Sequence, residues 1–229
     1  MNILLTNDDG FLAPGINALK AILQKYGDVY VVAPHYWQSG KSVGISFFNN
    51  LAIHKIDDRT WSVEGTPADC VIVATLVLDI KIDLIVSGVN NGYNLSYDSM
   101  YSGTCGACYQ ALMYSKKAIA FSVKKFFGEE MVQINEDLEN TLKYILDNDL
   151  LSDKYLLNVN FPLGDEINAI NQTNVYYRKE NTYYIKQSSD RFYATRDIND
   201  EECTEVGTDV YSVFHKIVSI TKLKRTNEI

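Results

Sequence analysis

Residues 3–10 run Ile3-Leu4-Leu5-Thr6-Asn7-Asp8-Asp9-Gly10, an apolar segment that stops abruptly on an amide, two carboxylates and a glycine. The apolar part has the character of a buried strand. Side chains alternate along an extended chain, so the two carboxylates can converge only where the strand ends and Gly10 lets the backbone turn. Adjacent carboxylates at the end of a buried strand are costly unless a positive charge sits between them. Hard oxygen donors of this kind suit Mg²⁺ or Mn²⁺, which bind through one or two carboxylates plus water and a substrate phosphate. The same residues also suit an Asx-rich turn, with Asp9-Gly10 as ordinary turn chemistry. The motif alone leaves the metal site and the turn equally open.

Outward from this segment, strands and helices alternate through the first 160 or so residues. Asn2 to Thr6 reads as a strand. Pro14 to Tyr26 carries Ile16, Leu19, Ile22 and Leu23 at helical spacing. Val29 to Ala33 is a second strand. Thr66-Pro67-Ala68-Asp69 has the form of a helix start, with Thr66 at the N-cap, Pro67 at N1 and Asp69 at N3, ahead of an apolar run to Leu78. Asp83 to Ser87 is a buried strand, Thr104 to Tyr114 a helix and Ala118 to Val123 a strand. Asn135 to Asp147 is an amphipathic helix with Ile134, Leu138, Leu142 and Ile145 on one face, and Leu156 to Phe161 is a strand that ends before Pro162.

Such alternation implies βαβ units and an α/β fold: a Rossmann-like, mostly parallel sheet with helices on both faces. Ligands in these sheets bind beyond the carboxyl ends of the strands, near the switch in strand order. The polar clusters fall at those ends. Asn7 to Gly10 follows the first strand and Gln38-Ser39-Gly40-Lys41-Ser42 the second. Ser87-Gly88-Val89-Asn90-Asn91-Gly92 follows the third, and Tyr101-Ser102-Gly103-Thr104 opens the next helix. Four loops are therefore expected on one rim.

From about Gly164 the pattern changes. Aromatic and β-branched residues alternate with polar ones through Val175 to Tyr177, Thr182 to Ile185 and Val210 to Ile220, without helix signals, which reads as a β-hairpin extension. The expected division is 1–163 for a catalytic domain, with 164–229 as a hairpin arm and carboxy-terminal segment that closes onto the core. Six of the 16 Tyr lie in this second part, and such amphipathic rings suit a subunit interface as well as a solvent-facing hairpin.

Composition limits the function. A chain of 229 residues with 46% hydrophobic content can bury a full core. Its net charge of -8 argues against binding a nucleic-acid polymer, whose phosphates call for a basic surface. A mononucleotide stays within reach, because one metal ion can supply the charge its phosphate needs. The opening residues lack the charged n-region and cleavage site of a signal peptide. No apolar stretch approaches the roughly 18 residues of a membrane span. The expectation is a cytoplasmic protein with no membrane partner.

Cys105-Gly-Ala-Cys108 matches CxxC, but no second pair completes a zinc site, and the small residues around it suit a helix start packed closely on a loop. Reduced, buried thiols are expected there and at Cys70 and Cys203. His35 lies near a loop, and His54 and His215 lie in strand-like segments. None has a partner at ligand or triad spacing, so surface or edge positions are expected.

Taken together, ILLTNDDG, VVAP followed by QSG, GTPADC, DLIVSGVNNG, YSGT, LLNVNFP and a late VSIT resemble the SurE family of metal-dependent 5′-nucleotidases, in sequence order from Met1 to about Leu223. The resemblance implies hydrolysis of nucleoside 5′-monophosphates, with some members also taking 3′-nucleotides or short polyphosphate. It implies a Rossmann-like domain, and a hairpin arm exchanged between subunits of a homodimer or homotetramer. It also implies one Mg²⁺ or Mn²⁺ ion per subunit, held by Asp8 and Asp9 of the NDDG motif, Ser39 of the QSG stretch and Asn90 of the SGVN motif. The sequence departs from the family pattern at Gly44, where relatives carry a serine, at Gln110, where many carry Glu, and at His35, a frequent Asp. Those departures bear on substrate preference.

The chemistry expected of such a site is metal-assisted phosphoryl transfer to water, with Asp8 or Asp9 holding or deprotonating the water. Ser102, Gly103 and Thr104 stand at a helix amino terminus, where free N–H groups and the helix dipole favour an anion, and with Asn7 they are assigned to the phosphate. The same three residues also fit a plain N-cap and tight turn. Two other functions compete. An aspartyl-phosphate phosphatase commonly spaces its two Asp one residue apart, whereas here they are adjacent. A non-hydrolytic nucleotide-binding regulator is weakened because no GxGxxG follows the first strand and the Asp8-Asp9 pair would repel a pyrophosphate unless a metal intervenes.

Overall fold

The computed structural model describes residues 1–124, 130–162, 167–177, 181–186, 192–197 and 203–224. Its centre is a nine-stranded sheet in the order β3-β4-β2-β1-β5-β6-β7-β11-β8. The strands are β1 (Asn2–Thr6), β2 (Asp28–Pro34), β3 (Ile53–Asp57), β4 (Thr60–Val63), β5 (Leu84–Asn91), β6 (Lys117–Val123), β7 (Tyr155–Phe161), β8 (Ala169–Thr173) and β11 (Ile217–Lys224). The run from β4 to β7 is parallel, with β3 antiparallel at one edge and β11 antiparallel to β7 near the other. The mostly parallel α/β fold read from the alternation is the fold observed.

The central strand shows why the apolar segments lack polar alternation. Ile3 and Leu5 of β1 join a cluster with Leu19 and Leu23 of α1 (Pro14–Leu23) and Leu138, Leu142 and Ile145 of α5 (Glu130–Asp147). Leu4, between them, joins the opposite cluster with Val71 of α2 (Pro67–Ile72) and Ala111 and Leu112 of α4 (Gly103–Met113), which follows the single turn α3 (Asp98–Tyr101). A strand covered on both faces needs apolar side chains at every position. Ile134, expected on the buried face of α5, lies outside the residues whose side chains are described.

The capping box predicted for α2 is present: Thr66 accepts from the Asp69 backbone N–H, and the Asp69 carboxylate accepts from that of Thr66. After Ile72 the helix loosens into a π-helical turn over Val73–Val77, where the apolar run had been read as one helix. The helix expected to reach Tyr26 ends at Leu23, and Lys25 and Tyr26 close it with backbone bonds to Ile22 and Leu23.

Two expectations need correcting. The polar run after Ser87 was read as a loop, yet β5 continues through it to Asn91, with a register shift against β6 between Ser87 and Asn90. Gly88 makes this irregularity feasible: its φ is +131°, and a Cβ there would meet the Phe121 carbonyl at 2.4 Å. Second, Val210 to Ile220 was read as strand, but α6 (Asp209–Phe214) occupies the first half. Val210 and Val213 pack at helical spacing against Leu95 and Cys203, and Thr208 caps the helix by accepting from Tyr211 N. The β-branched residues hid a short helix whose cap carries the signal. His215 consequently sits at the helix C-cap, while His54 lies in β3 as expected.

The carboxy-terminal segment contributes in two ways. β8 and β11 extend the main sheet, and β9 (Asn181–Lys186) pairs with β10 (Phe192–Asp197) in a separate antiparallel hairpin. This is the hairpin extension expected from the sequence. Among the described residues, no helix is long and apolar enough to cross a membrane.

Candidate functional site

The chain runs from β1 to β2 on one side and later returns to place β5 on the other side of β1. The order therefore switches between β1 and β5, and the carboxyl ends of those strands carry Asp8 and Asp9 on one side and Asn90 and Asn91 on the other.

Asn7 shapes the turn. Its Nδ2 donates to the Gly10 carbonyl at 2.8 Å and its Oδ1 accepts from the Gly10 N–H at 3.2 Å. Gly10 itself has φ +105°, a conformation L side chains rarely adopt. The Asx-turn reading is correct, and this turn is what presents the two carboxylates at the end of β1. The Asn7 amide is engaged with Gly10 rather than held open for a ligand.

Asp8 is only 2% exposed and packs under the amino terminus of α4. Thr104 donates its hydroxyl to Asp8 Oδ1 at 2.7 Å. Gly103 is required by this approach, because a Cβ there would lie 2.9 Å from the Asp8 Cβ and 3.1 Å from its Oδ2. Burial pushes the Asp8 carboxyl up to about 6, opposed by the Thr104 hydrogen bond and reinforced by the neighbouring charge of Asp9. Asp9 is more accessible. Burial raises its pKa too, against the Asn91 N–H, which donates to its Oδ2 at 3.2 Å, and the Trp37 indole.

The remaining predicted residues fall around this pair. The Gln38 N–H donates to the Asp8 carbonyl at 2.7 Å, which brings the exposed Ser39 to the rim one residue further on. Asn90 donates from Nδ2 to the Gly92 carbonyl at 2.8 Å, which leaves its amide oxygen as the end suited to a cation. Ser102 is the N-cap of α4, its Oγ accepting from Cys105 N at 3.1 Å, so its hydroxyl serves the helix as the plain capping reading had it. No hydrogen bond among the described residues joins Ser39 or Asn90 to the carboxylates.

The loop between β2 and β3 is fixed from below. A Cβ at Gly106 would lie 1.9 Å from the Ser42 carbonyl, so α4 and the loop touch backbone to backbone. Ser42 donates to the carbonyl of Met100, and its N–H to that of Tyr101, which takes it out of the site. The small residues of the CxxC stretch are thereby explained as close packing. Cys70, Cys105, Cys108 and Cys203 are free and buried, and burial lifts the Cys105 thiol to about 12.

Several contributors to the site lie outside the residues assigned to it from the sequence. Trp37 and Asn91 flank Asp9, the latter through its backbone, for which no sequence signal exists. Asn158 and Asn160, two apart on β7 and so on one face, both donate to the Asn94 carbonyl, holding the segment after β5 onto the sheet. Their alternation with apolar residues in LLNVNFP was a readable signal.

The donor set suits a hard divalent cation. Two carboxylates lie side by side, one almost fully buried, and among the described residues neither forms an ion pair with a Lys, Arg or His. Ser39 and Asn90 could add a hydroxyl and an amide oxygen, a set that favours Mg²⁺ or Mn²⁺ over Zn²⁺.

The family model for Survival protein SurE matches residues 3–182. The chain belongs to the SurE family. It is 36% identical to the 5′-nucleotidase SurE of Clostridium botulinum (strain Loch Maree / Type A3), over 97% of this chain and 92% of that one. It is 33% identical to the 5′-nucleotidase SurE of Chromobacterium violaceum, with the same coverage. The solved SurE protein from Aquifex aeolicus superposes with a TM-score of 0.85 at 33% identity, covering 100% of this chain and 95% of that one.

Proposed function

We propose that this SurE-family chain is a divalent-metal-dependent 5′-nucleotidase that hydrolyses nucleoside 5′-monophosphates to nucleoside and phosphate, with 3′-nucleotides and short polyphosphate as further substrates. The observation that carries the proposal is the buried Asp8 beside Asp9, without a cationic partner among the described residues, facing the amino terminus of α4 at the switch in strand order.

Asp8, Asp9, Ser39 and Asn90 would hold one Mg²⁺ or Mn²⁺ ion per subunit. When bound, the ion neutralises charge that builds on the phosphoryl oxygens and favours ionised water. The protein does the rest. Thr104 keeps Asp8 in place through its hydroxyl, and the first N–H groups of α4, at Gly103 and Thr104, face the phosphate with the positive end of the helix dipole. Asp9, the more accessible carboxylate, orients the attacking water and takes its proton. The P–O bond to the nucleoside breaks as the new P–O bond forms, and the departing oxygen takes a proton from solvent, to which Asp9 returns the one it removed from the water. Asp8, buried under α4, is poorly placed to serve as the nucleophile of an aspartyl-phosphate mechanism. Asn7 holds the turn rather than touching the phosphate. Residues 1–163 carry this chemistry, and the β9–β10 hairpin reaches to a second copy in a homodimer or homotetramer.

Titrating Mn²⁺ into the purified protein by calorimetry tests the ligand set. One site per chain is expected, weakened at least about tenfold by Asp9→Asn. Equal affinity in the variant would remove Asp9 from the set.

A further inference from the structure

A nucleoside monophosphate has two ends, and the carboxylates with the start of α4 address only the phosphate. Residues 35–38 cross the rim beside them. The Gln38 N–H is bound to the Asp8 carbonyl at 2.7 Å, and the Gln38 carbonyl lies against Gly103, where a Cβ would approach it to 3.2 Å. At the other end, the His35 ring stacks on Phe11 with centroids 5.4 Å apart, and its Nδ1 bonds the Ser62 hydroxyl at 2.9 Å. Both ends of this short segment are therefore fixed to the sheet.

Between those anchors, Trp37 is 69% exposed. It immediately precedes Gln38, whose backbone is bound to Asp8, and its indole lies beside the Asp9 carboxylate. An indole so exposed offers a broad π surface next to the carboxylates, where an exposed apolar ring marks a contact surface. A nucleobase lies one ribose away from its phosphate, and stacking on an aromatic ring is open to every base.

The geometry points to Trp37 as the stacking surface for the nucleobase of the substrate, the residue that separates nucleoside monophosphates from phosphate esters without a base. Purines, with the larger ring overlap, are favoured over pyrimidines. This inference rests on the nucleotidase reading and concerns only the base end of the substrate.

The test compares AMP with ribose 5-phosphate in Mn²⁺, read as the ratio of their kcat/KM values, so that any general loss through Asp9 cancels. The native ratio is expected to be about tenfold or more, to fall toward one in Trp37→Ala, and to stay within about threefold of native in Trp37→Phe, which keeps a stacking ring. An unchanged ratio in Trp37→Ala, whether both esters lose activity equally or neither does, overturns the inference. Adenosine supplies a readout free of turnover, since the chain has two tryptophans, Trp37 and Trp61. Adenosine should quench the native emission and leave Trp37→Phe unaffected, and absence of quenching in the native protein also counts against stacking. Should the native protein cleave neither ester, the nucleotidase reading fails, while adenosine quenching still decides the role of Trp37.

Discussion

The hydroxyl of Thr104 donates to Asp8 Oδ1 at 2.7 Å, linking the start of α4 to the end of β1 across 96 residues of sequence. The bond lowers the pKa of a carboxyl that burial raises, so Thr104 keeps Asp8 closer to its ionised form. Thr104→Val retains the shape and removes the donor. The expected result is a folded protein whose kcat/KM on AMP falls about tenfold or more, judged with circular dichroism as the folding control. Unchanged kinetics would show that this bond is not part of the machinery.

Asp8 makes the metal-free fold less stable at neutral pH. Its carboxyl sits at about 6 in the folded chain against 3.8 for the unperturbed group, so between those values the folded state holds the proton more tightly than the unfolded state. Stability from this group therefore falls as pH rises from about 4 to about 6 and stays reduced above it, by an amount on the order of 1–3 kcal/mol. In EDTA at pH 7, Asp8→Asn is accordingly expected to unfold at a higher urea concentration than the native chain. Added Mn²⁺ should reverse the order by stabilising only the native protein. A variant less stable than the native chain in EDTA would contradict this account.

Close packing makes its own prediction. Gly106 meets the Ser42 carbonyl where a Cβ would sit 1.9 Å away, so Gly106→Ala must push the loop carrying Ser39 off α4. A loss of about 1–3 kcal/mol in stability is expected, with reduced activity even where the variant is folded. Thermal unfolding together with kinetics at a permissive temperature measures both effects.

Much of this arrangement could be read in the chain itself. β1 declares itself because a strand covered on two faces has no polar alternation, and α2 because Thr66, Pro67 and Asp69 each satisfy a separate requirement of a helix start. Asn90 was placed in a loop because a polar run follows the apolar strand ending at Ser87, whereas the sheet absorbs Gly88 as an irregularity and β5 continues to Asn91. The α6 helix was missed because its buried valines are β-branched and its tertiary partners, Leu95 and Cys203, are distant in sequence. The contacts to Asp9 from the Asn91 backbone and from Trp37 carry no local signature at all.

The hairpin predicts an assembly. β9 and β10 pair only with each other in the strand ladders described, which suits an arm that is completed by a second copy. Deleting residues 178–202 should lower the mass measured by light scattering from that of a dimer or tetramer. The same oligomer in the deletion variant would exclude the arm.

Asp8 and Asp9 are proposed to work through a divalent cation on a nucleotide phosphate. Phosphate release from AMP by the purified chain, measured with Mg²⁺ or Mn²⁺ and again in excess EDTA, tests it directly. Release that requires the metal, and that Asp9→Asn abolishes while its circular dichroism matches the native protein, is the predicted result. Undiminished release in EDTA would contradict it.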